Sequence, residues 1–267
     1  RIAISPRQIA ITWVKGWFKK SVIEKKVIAF DRDYNWMQVV QALDHAFDCG
    51  SAWAEIERVH LILPSHWLRY QVLSWNNDLM ETPDACAAYA KLLFQRVYGD
   101  VSQSWTVRVA DADFGQSRLA VAMDTDLANQ LRERFKSRHK KLLSITPDLI
   151  SAFNGQIQHI QNDHNWFILL QEDLLVLSMF NDKQWQQVST WRCQAKVETA
   201  LVQFIEQSLL IQNAETSPER IYLYAPLLPL LIAPPEISKP IVYLKCAAKH
   251  DFSPNHDAAV AFALLEG

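Results

Sequence analysis

Residues 165–191 read NWFILLQEDLLVLSMFNDKQWQQVSTW. Trp166 to Leu170 and Leu174 to Phe180 are apolar runs parted by Gln171-Glu172-Asp173, and a third run, Trp185 to Trp191, follows Asn181-Asp182-Lys183. Short runs rich in aromatic and aliphatic residues, separated by polar turn residues, predict three strands in a row. Val197, Leu201, Phe204, Ile205 and Leu209 then recur at helical spacing, which predicts a long helix. A strand at Ile221 to Tyr224, a short apolar segment, a strand at Ile241 to Leu244 and a helix near Asp257 to Leu264 complete this half.

The first half repeats the order. Ile2 to Ile4 and Ile9 to Thr12 predict strands that turn at Ser5-Pro6-Arg7-Gln8, with proline at the second turn position. Val22 to Phe30 predicts the third strand. A helix with Trp36, Val39, Val40, Leu43 and Phe47 on one face is expected to stop near Gly50, and Val59 to Leu63 is a buried strand ending at Pro64. Further on, a helix from about Asp126 to His139, a strand from Lys141 to Ile145, and a helix capped by Thr146-Pro147 and running through Phe153 close the half.

Between the fourth strand and that next helix lies an extra block. Leu68 to Trp75 predicts a strand, and Thr82-Pro83 a helix start. Ala85, Ala88, Tyr89, Leu92, Leu93 and Val97 form a stripe closed by Gly99, and strands from Trp105 to Ala110 and Arg118 to Met123 join around Gly115. The expected fold is α/β and duplicated: a first lobe over 1–154, with the inserted subdomain over about 65–123, and a second lobe over 155–267. No linker rich in Gly, Ser or Pro divides the lobes, so they are expected to pack as one body.

Composition agrees with a folded chain: 49% of residues are hydrophobic and 21% charged. The net charge of −2 gives no general attraction to nucleic acid. No apolar run approaches the ~18 residues of a membrane span, and no secretory signal is visible. The four cysteines (Cys49, Cys86, Cys193, Cys246) form no CxxC pair and read as free, mostly buried thiols. Only 6 glycines occur in 267 residues, against a usual share of about 7%.

The duplicated order with its insertion resembles the actin-like superfamily, which shares the ribonuclease H-like lobe and includes sugar kinases and Hsp70 ATPase domains. A strand-helix-strand-strand insertion is similar to the branch containing FtsA and PilM. Val59-His60-Leu61-Ile62-Leu63-Pro64, then Ser65-His66-Trp67-Leu68-Arg69-Tyr70 and Leu73-Ser74-Trp75, look like the paired strands of the MshI and type II secretion L-protein relatives. Ile145-Thr146-Pro147 through Ala152-Phe153-Asn154 resembles the helix closing their first lobe.

That resemblance implies ATP held between lobes by two hairpins and an adenosine loop. Such hairpins use Asp and Gly, because backbone amides must reach phosphate and a carboxylate must hold hydrated Mg²⁺. Here the first hairpin carries Ser5, Pro6 and Arg7, without glycine or acid. The second carries Gln171, Glu172 and Asp173, acidic but without glycine, and Ala225 and Pro226 open a loop where paired glycines belong. The nucleotide site is therefore expected to be degenerate, with no catalytic residue, no cofactor and no metal. The resemblance then implies a non-catalytic pseudo-ATPase scaffold of a type IV pilus or type II secretion platform. It would be cytoplasmic, at the inner membrane through protein partners that include a short cytoplasmic peptide or a motor ATPase. An active ATPase or kinase using ATP and Mg through a glycine-poor site stays open as the alternative.

Other constellations have plainer readings. Asp111/Asp113 and Asp124/Asp126 could hold a cation, yet both pairs stand at strand ends where turn or cap duty accounts for them. His60 and His66 lack a third ligand at zinc spacing and read as structural. The run Arg132, Arg134, Lys136, Arg138, His139, Lys140, Lys141 fits the basic end of a helix. Most of the ten tryptophans read as core. Trp67, Arg69 and Trp75 lie in the inserted block that the relatives use for partner contact, and are the candidate partner-binding residues.

Overall fold

The structure is a computed structural model that describes residues 1–16, 21–30, 35–48, 56–80, 82–161, 164–182, 184–193, 196–211, 217–228, 237, 239–245 and 262–263. Two compact units are present: Arg1–Leu68 with Asp124–Gly155 and the described residues from Lys245 on, and Arg69–Met123 with Gln156–Leu244.

In the first unit, β1 (Ile2–Ile4), β2 (Gln8–Lys15) and β3 (Ser21–Ala29) form an antiparallel meander, and α1 (Trp36–Asp48) follows. β4 (Arg58–Leu63) lies parallel to β1. The block β5 (Leu68–Leu73), α2 (Pro83–Tyr98), β6 (Trp105–Val109) and β7 (Arg118–Asp124) then leaves this sheet, with strand order β5-β7-β6. The chain returns through α3 (Thr125–Ser137), β8 (Lys141–Pro147) and α4 (Asp148–Gln156). The sheet order is β3-β2-β1-β4-β8.

The second unit repeats it. β9 (Asn165–Gln171), β10 (Leu174–Asn181) and β11 (Gln184–Arg192) form the meander, α5 (Val197–Ile211) follows, and β12 (Arg220–Tyr224) and β13 (Ile241–Leu244) run parallel to β9. The order β11-β10-β9-β12-β13 is again third, second, first, fourth, fifth. The duplication read from element order is thus present in the hydrogen-bonded topology. β9 and all but the last residue of β10 are buried, which needs apolar residues on both faces and explains why their sequences run apolar instead of alternating. On one face, Trp166, Ile168, Leu170, Leu175 and Leu177 pack against Ala200, Leu201, Phe204 and Ile205 of α5. Each such large side chain contributes about 1.5–3 kcal/mol by leaving water.

α3 docks on α1 through an edge-to-face pair of Phe47 and Phe135, centroids 5.3 Å apart. Arg134 reaches Asp44 at 2.5 Å and Arg138 reaches it at 3.8 Å while covering the Phe47 ring. Two of the seven basic residues of this helix end, Arg134 and Arg138, are therefore spent on helix packing. Asp124 is the N-cap of α3, accepting from Asp126 N at 2.8 Å and Leu127 N at 3.4 Å, as cap duty requires.

Several expectations are corrected. The stripe expected on α2 is rotated: Cys86, Ala90 and Phe94 are buried, whereas Leu92 and Val97 are 63% and 58% exposed. Cys86, Ala90 and Phe94 also stand at four-residue spacing, and only packing against Leu73, Met80, Ala120 and Ala122 selects that face. Thr82 does cap α2, accepting from Ala85 N at 3.2 Å, and Gly99 ends it at φ 69°. β5 stops at Leu73, because Asn76 Oδ1 accepts from Asp78 N and Leu79 N and turns the chain. Thr146-Pro147 does not open α4: both residues extend β8, opposite Ile62 and Leu63. Of the described tryptophans only Trp13 and Trp166 are fully buried; Trp36, Trp67, Trp75, Trp105, Trp185 and Trp191 are half-exposed. Cys86 and Cys193 are free and buried. Gly50, Cys49, Cys246, Pro229 and most of the expected last helix lie outside the described residues.

Candidate functional site

The Ser5-Pro6-Arg7-Gln8 turn, expected at the position of the first nucleotide hairpin, is closed. Ser5 N donates to Gln8 O at 2.9 Å, and Ser5 Oγ accepts from Arg7 N at 3.3 Å and Gln8 N at 3.2 Å. Ser5 and Pro6 are buried and Arg7 is exposed. In a phosphate-gripping hairpin these amides would point at the ligand. Here the Ser5 hydroxyl already takes them, and the residues present do not fit a phosphate with hydrated Mg²⁺.

In the second unit, Glu172 and Asp173 form the two-residue turn between β9 and β10, with Glu172 at φ 45°. That left-handed conformation is one glycine adopts at no steric cost. Asp173 points back into the structure: its carbonyl accepts from Cys193 N at 2.6 Å, and the residue is 8% exposed. Burial, aided by the Asp173 charge, pushes the Cys193 thiol up to about 11, so it stays protonated and inert at neutral pH. Gln171 is buried with neither amide atom hydrogen-bonded. The loop after β12 is a tight turn, Leu228 N donating to Ala225 O at 3.1 Å, with Pro226 buried and Leu228 packed on the α5 core.

Asp148, missed in the sequence, anchors the junction where the insertion departs. It is wholly buried and accepts from Ser65 N at 2.8 Å, from the Ser65 hydroxyl and from Leu149 N at 2.6 Å. Burial raises its carboxyl from 3.8 to about 6, against the lowering effect of the Ser65 bonds, the His66 charge and Leu149 N. An acid straight after Pro147 at a helix start was the signal available.

The candidate partner residues differ among themselves. Trp67 and Arg69 are half-exposed, beside the buried Ser65 and His66. Trp75 instead packs on Phe114, centroids 4.6 Å apart, beneath Arg118, and its indole N–H donates to Asn77 Oδ1 at 2.8 Å. The strand hairpin of the insertion is tied within its unit by Ser117 Oγ donating to Trp185 O at 2.6 Å.

A cavity of about 360 Å³, lined in part by Thr12, Trp13, Arg58 and His60, opens at the far end of β1 from the Ser5 turn, and neither Ser5–Gln8 nor Gln171–Asp173 lines it. His60 Nδ1 lies 2.9 Å from Ser144 Oγ. Among the described residues no three His, Cys, Asp or Glu side chains stand together as a metal site, and no helix is long and apolar enough to cross a membrane.

No family model matches the chain, and no curated protein matches it in sequence. Its fold is similar to that of the cytoplasmic domain of EpsL, an inner membrane component of the type II secretion system of Vibrio cholerae. The TM-score is 0.59 at 11% identity, over 100% of this chain and 94% of that one. PilM in the PilM–PilN type IV pilus biogenesis complex is similar at TM-score 0.59 and 10% identity, over 84% and 80% of the two chains. A Bacteroides thetaiotaomicron protein of actin-like ATPase fold and unknown function gives 0.56 at 11% identity, over 84% and 79%. The fold is actin-like.

Proposed function

We propose that this chain is a non-catalytic, protein-binding scaffold of a type II secretion or type IV pilus assembly platform, with a nucleotide site that has closed. The observation that carries the first half is the Ser5 turn, whose hydroxyl occupies the amides of Arg7 and Gln8. The glycine-free turns at Gln171–Asp173 and Ala225–Pro226 support it. The end-to-end likeness to the EpsL cytoplasmic domain supports the setting. Its partners are proteins: a short cytoplasmic peptide or a motor ATPase, met through Trp67 and Arg69. Calorimetric titration with ATP and Mg²⁺, paired with a thermal-shift scan, tests the reading. A flat trace with unchanged melting is expected. Saturable binding in the micromolar to low-millimolar range would overturn it.

One observation favours the alternative, an ATP-binding protein with an atypical site. Gln171 holds a buried amide with no partner beside the second turn, and such a group is stabilised by a ligand that reaches it. Saturable ATP binding abolished by Gln171→Leu would select this second reading.

A further inference from the structure

β3 reads Ser21-Val22-Ile23-Glu24-Lys25-Lys26-Val27-Ile28-Ala29 and is, among the described residues, the outermost strand of its sheet. Ile23 and Val27 stand 58% and 43% exposed on one face, with Lys25 between them. Val22, Glu24, Lys26 and Ile28 are half-buried on the other. The register with β2 shifts at Ile23, yet exposure alternates without a break along the strand.

The hydrogen bonds show which backbone groups meet the outer edge. Thr12 N donates to Arg1 O at 2.9 Å, so Thr12 faces β1 and its neighbours Ile11 and Trp13 face β3. Their partners Lys26 and Glu24 therefore face β2, as does Phe30, whose N–H donates to Arg7 O at 2.9 Å. By alternation Lys25, Val27 and Ala29 aim amide and carbonyl away from the sheet. An edge of this kind is a template for another strand.

The strand is chemically self-complementary in one register. In a symmetric antiparallel pair the two-fold axis must pass through a residue opposite its own copy, because hydrogen-bonded and non-hydrogen-bonded pairs alternate. With Lys25 on the axis, Ile23 meets Val27 of the second copy, Val22 meets Ile28 and Glu24 meets Lys26, each twice. Glu24–Lys26 is then a non-hydrogen-bonded pair, where side chains approach most closely. With Glu24 on the axis Ile23 meets Lys25, and with Lys26 on it Val27 meets Lys25; both registers lose the matching.

We propose that β3 is a homodimerisation strand, joining two copies of this chain antiparallel about Lys25 into a continuous sheet, with Glu24–Lys26 pairs fixing the register. Lys25 opposite Lys25 is the one unfavourable contact. This inference does not depend on the nucleotide reading.

The test is sedimentation equilibrium of the 267-residue chain at concentrations up to the order of 0.1 mM. Dimers are expected. Glu24→Lys alone and Lys26→Glu alone each set like charges opposite and are expected to weaken association roughly tenfold or more. Mixing those two variants, or combining both changes in one chain, restores opposite charges only in the Lys25-centred register and is expected to restore the dimer. Val27→Pro removes an outward N–H without touching the β2 ladder, and is expected to leave a folded monomer by circular dichroism. A monomer throughout this range, a dimer indifferent to a folded Val27→Pro variant, or failure of the charge swap to restore association would each overturn the proposal.

Discussion

The Ser65 hydroxyl donates to the Asp148 carboxylate across 83 residues of sequence, inside the first unit and with both side chains sealed from solvent. This pair ties the chain where the insertion leaves β4 to the first residue of α4. Ser65 N and Leu149 N also rest on the same carboxylate, so a single buried acid satisfies three donors. Removing it strands them in a site closed to solvent.

Asp148→Ala is accordingly expected to destabilise the protein by about 2–4 kcal/mol, through several donors left unpaired. Asp148→Asn keeps an acceptor and, compared at about pH 4 where the wild-type carboxyl holds its proton, is expected to cost less than half as much. Urea denaturation of the two variants checks this; equal losses would mean that the hydrogen bonds carry little.

The pH dependence has a definite sign. The folded carboxyl titrates near 6, above its ordinary 3.8, so the native state keeps a proton that the unfolded chain releases. Its contribution is fully present below the unfolded value and is lost as pH rises through about 6, a fall of about 3 kcal/mol. Relative to the curve of Asp148→Asn, which has no such proton to lose, the wild-type stability curve should therefore fall by about 3 kcal/mol between about pH 4 and 7. Parallel curves would show that Asp148 does not titrate in that window.

Ser5→Ala leaves the amides of Arg7 and Gln8 without the hydroxyl and is expected to cost about 1 kcal/mol, a melting shift of a few degrees. On the scaffold reading it gains no ATP affinity, since glycine and acid are still missing. ATP binding gained by this one change would mean that the hydroxyl alone had closed the site.

Gln171→Leu replaces a buried amide that has no partner with an apolar group of similar size. A stability gain of about 1–2 kcal/mol by chemical denaturation is expected. A loss would indicate that the amide is satisfied by a bound molecule.

Trp67→Ala with Arg69→Ala is expected to leave melting within a few degrees of wild type while abolishing capture of a partner peptide. Trp75→Ala is expected to destabilise the insertion by about 2–3 kcal/mol, because its ring packs on Phe114 and under Arg118. Unfolding of the Trp67/Arg69 variant would make those two residues structural.

How much was legible follows from where each signal lives. The two meanders, the helices after them and the insertion were readable because apolar runs, spacing and turn residues are local. The Thr82 cap, the Gly99 stop and the Asp124 cap are single-residue chemistry and were equally plain. That both hairpin turns lack glycine, and the first also an acid, could be read from residue identity alone. The Ser5 hydroxyl's grip on Arg7 and Gln8 could not, since it depends on the turn's conformation.

The sequence by itself therefore determined the α/β order and its duplication, because period and residue type act over a few residues. Tertiary structure alone decided the rest. Two faces of α2 had nearly equal apolar spacing, and only contact with Leu73, Ala120 and Ala122 selected Cys86, Ala90 and Phe94. The raised carboxyl of Asp148 likewise required the core to exclude water, against the opposing pull of Ser65 brought from 83 residues away. Burial and long-range pairing are set by the assembled chain, and no local window of sequence contains them.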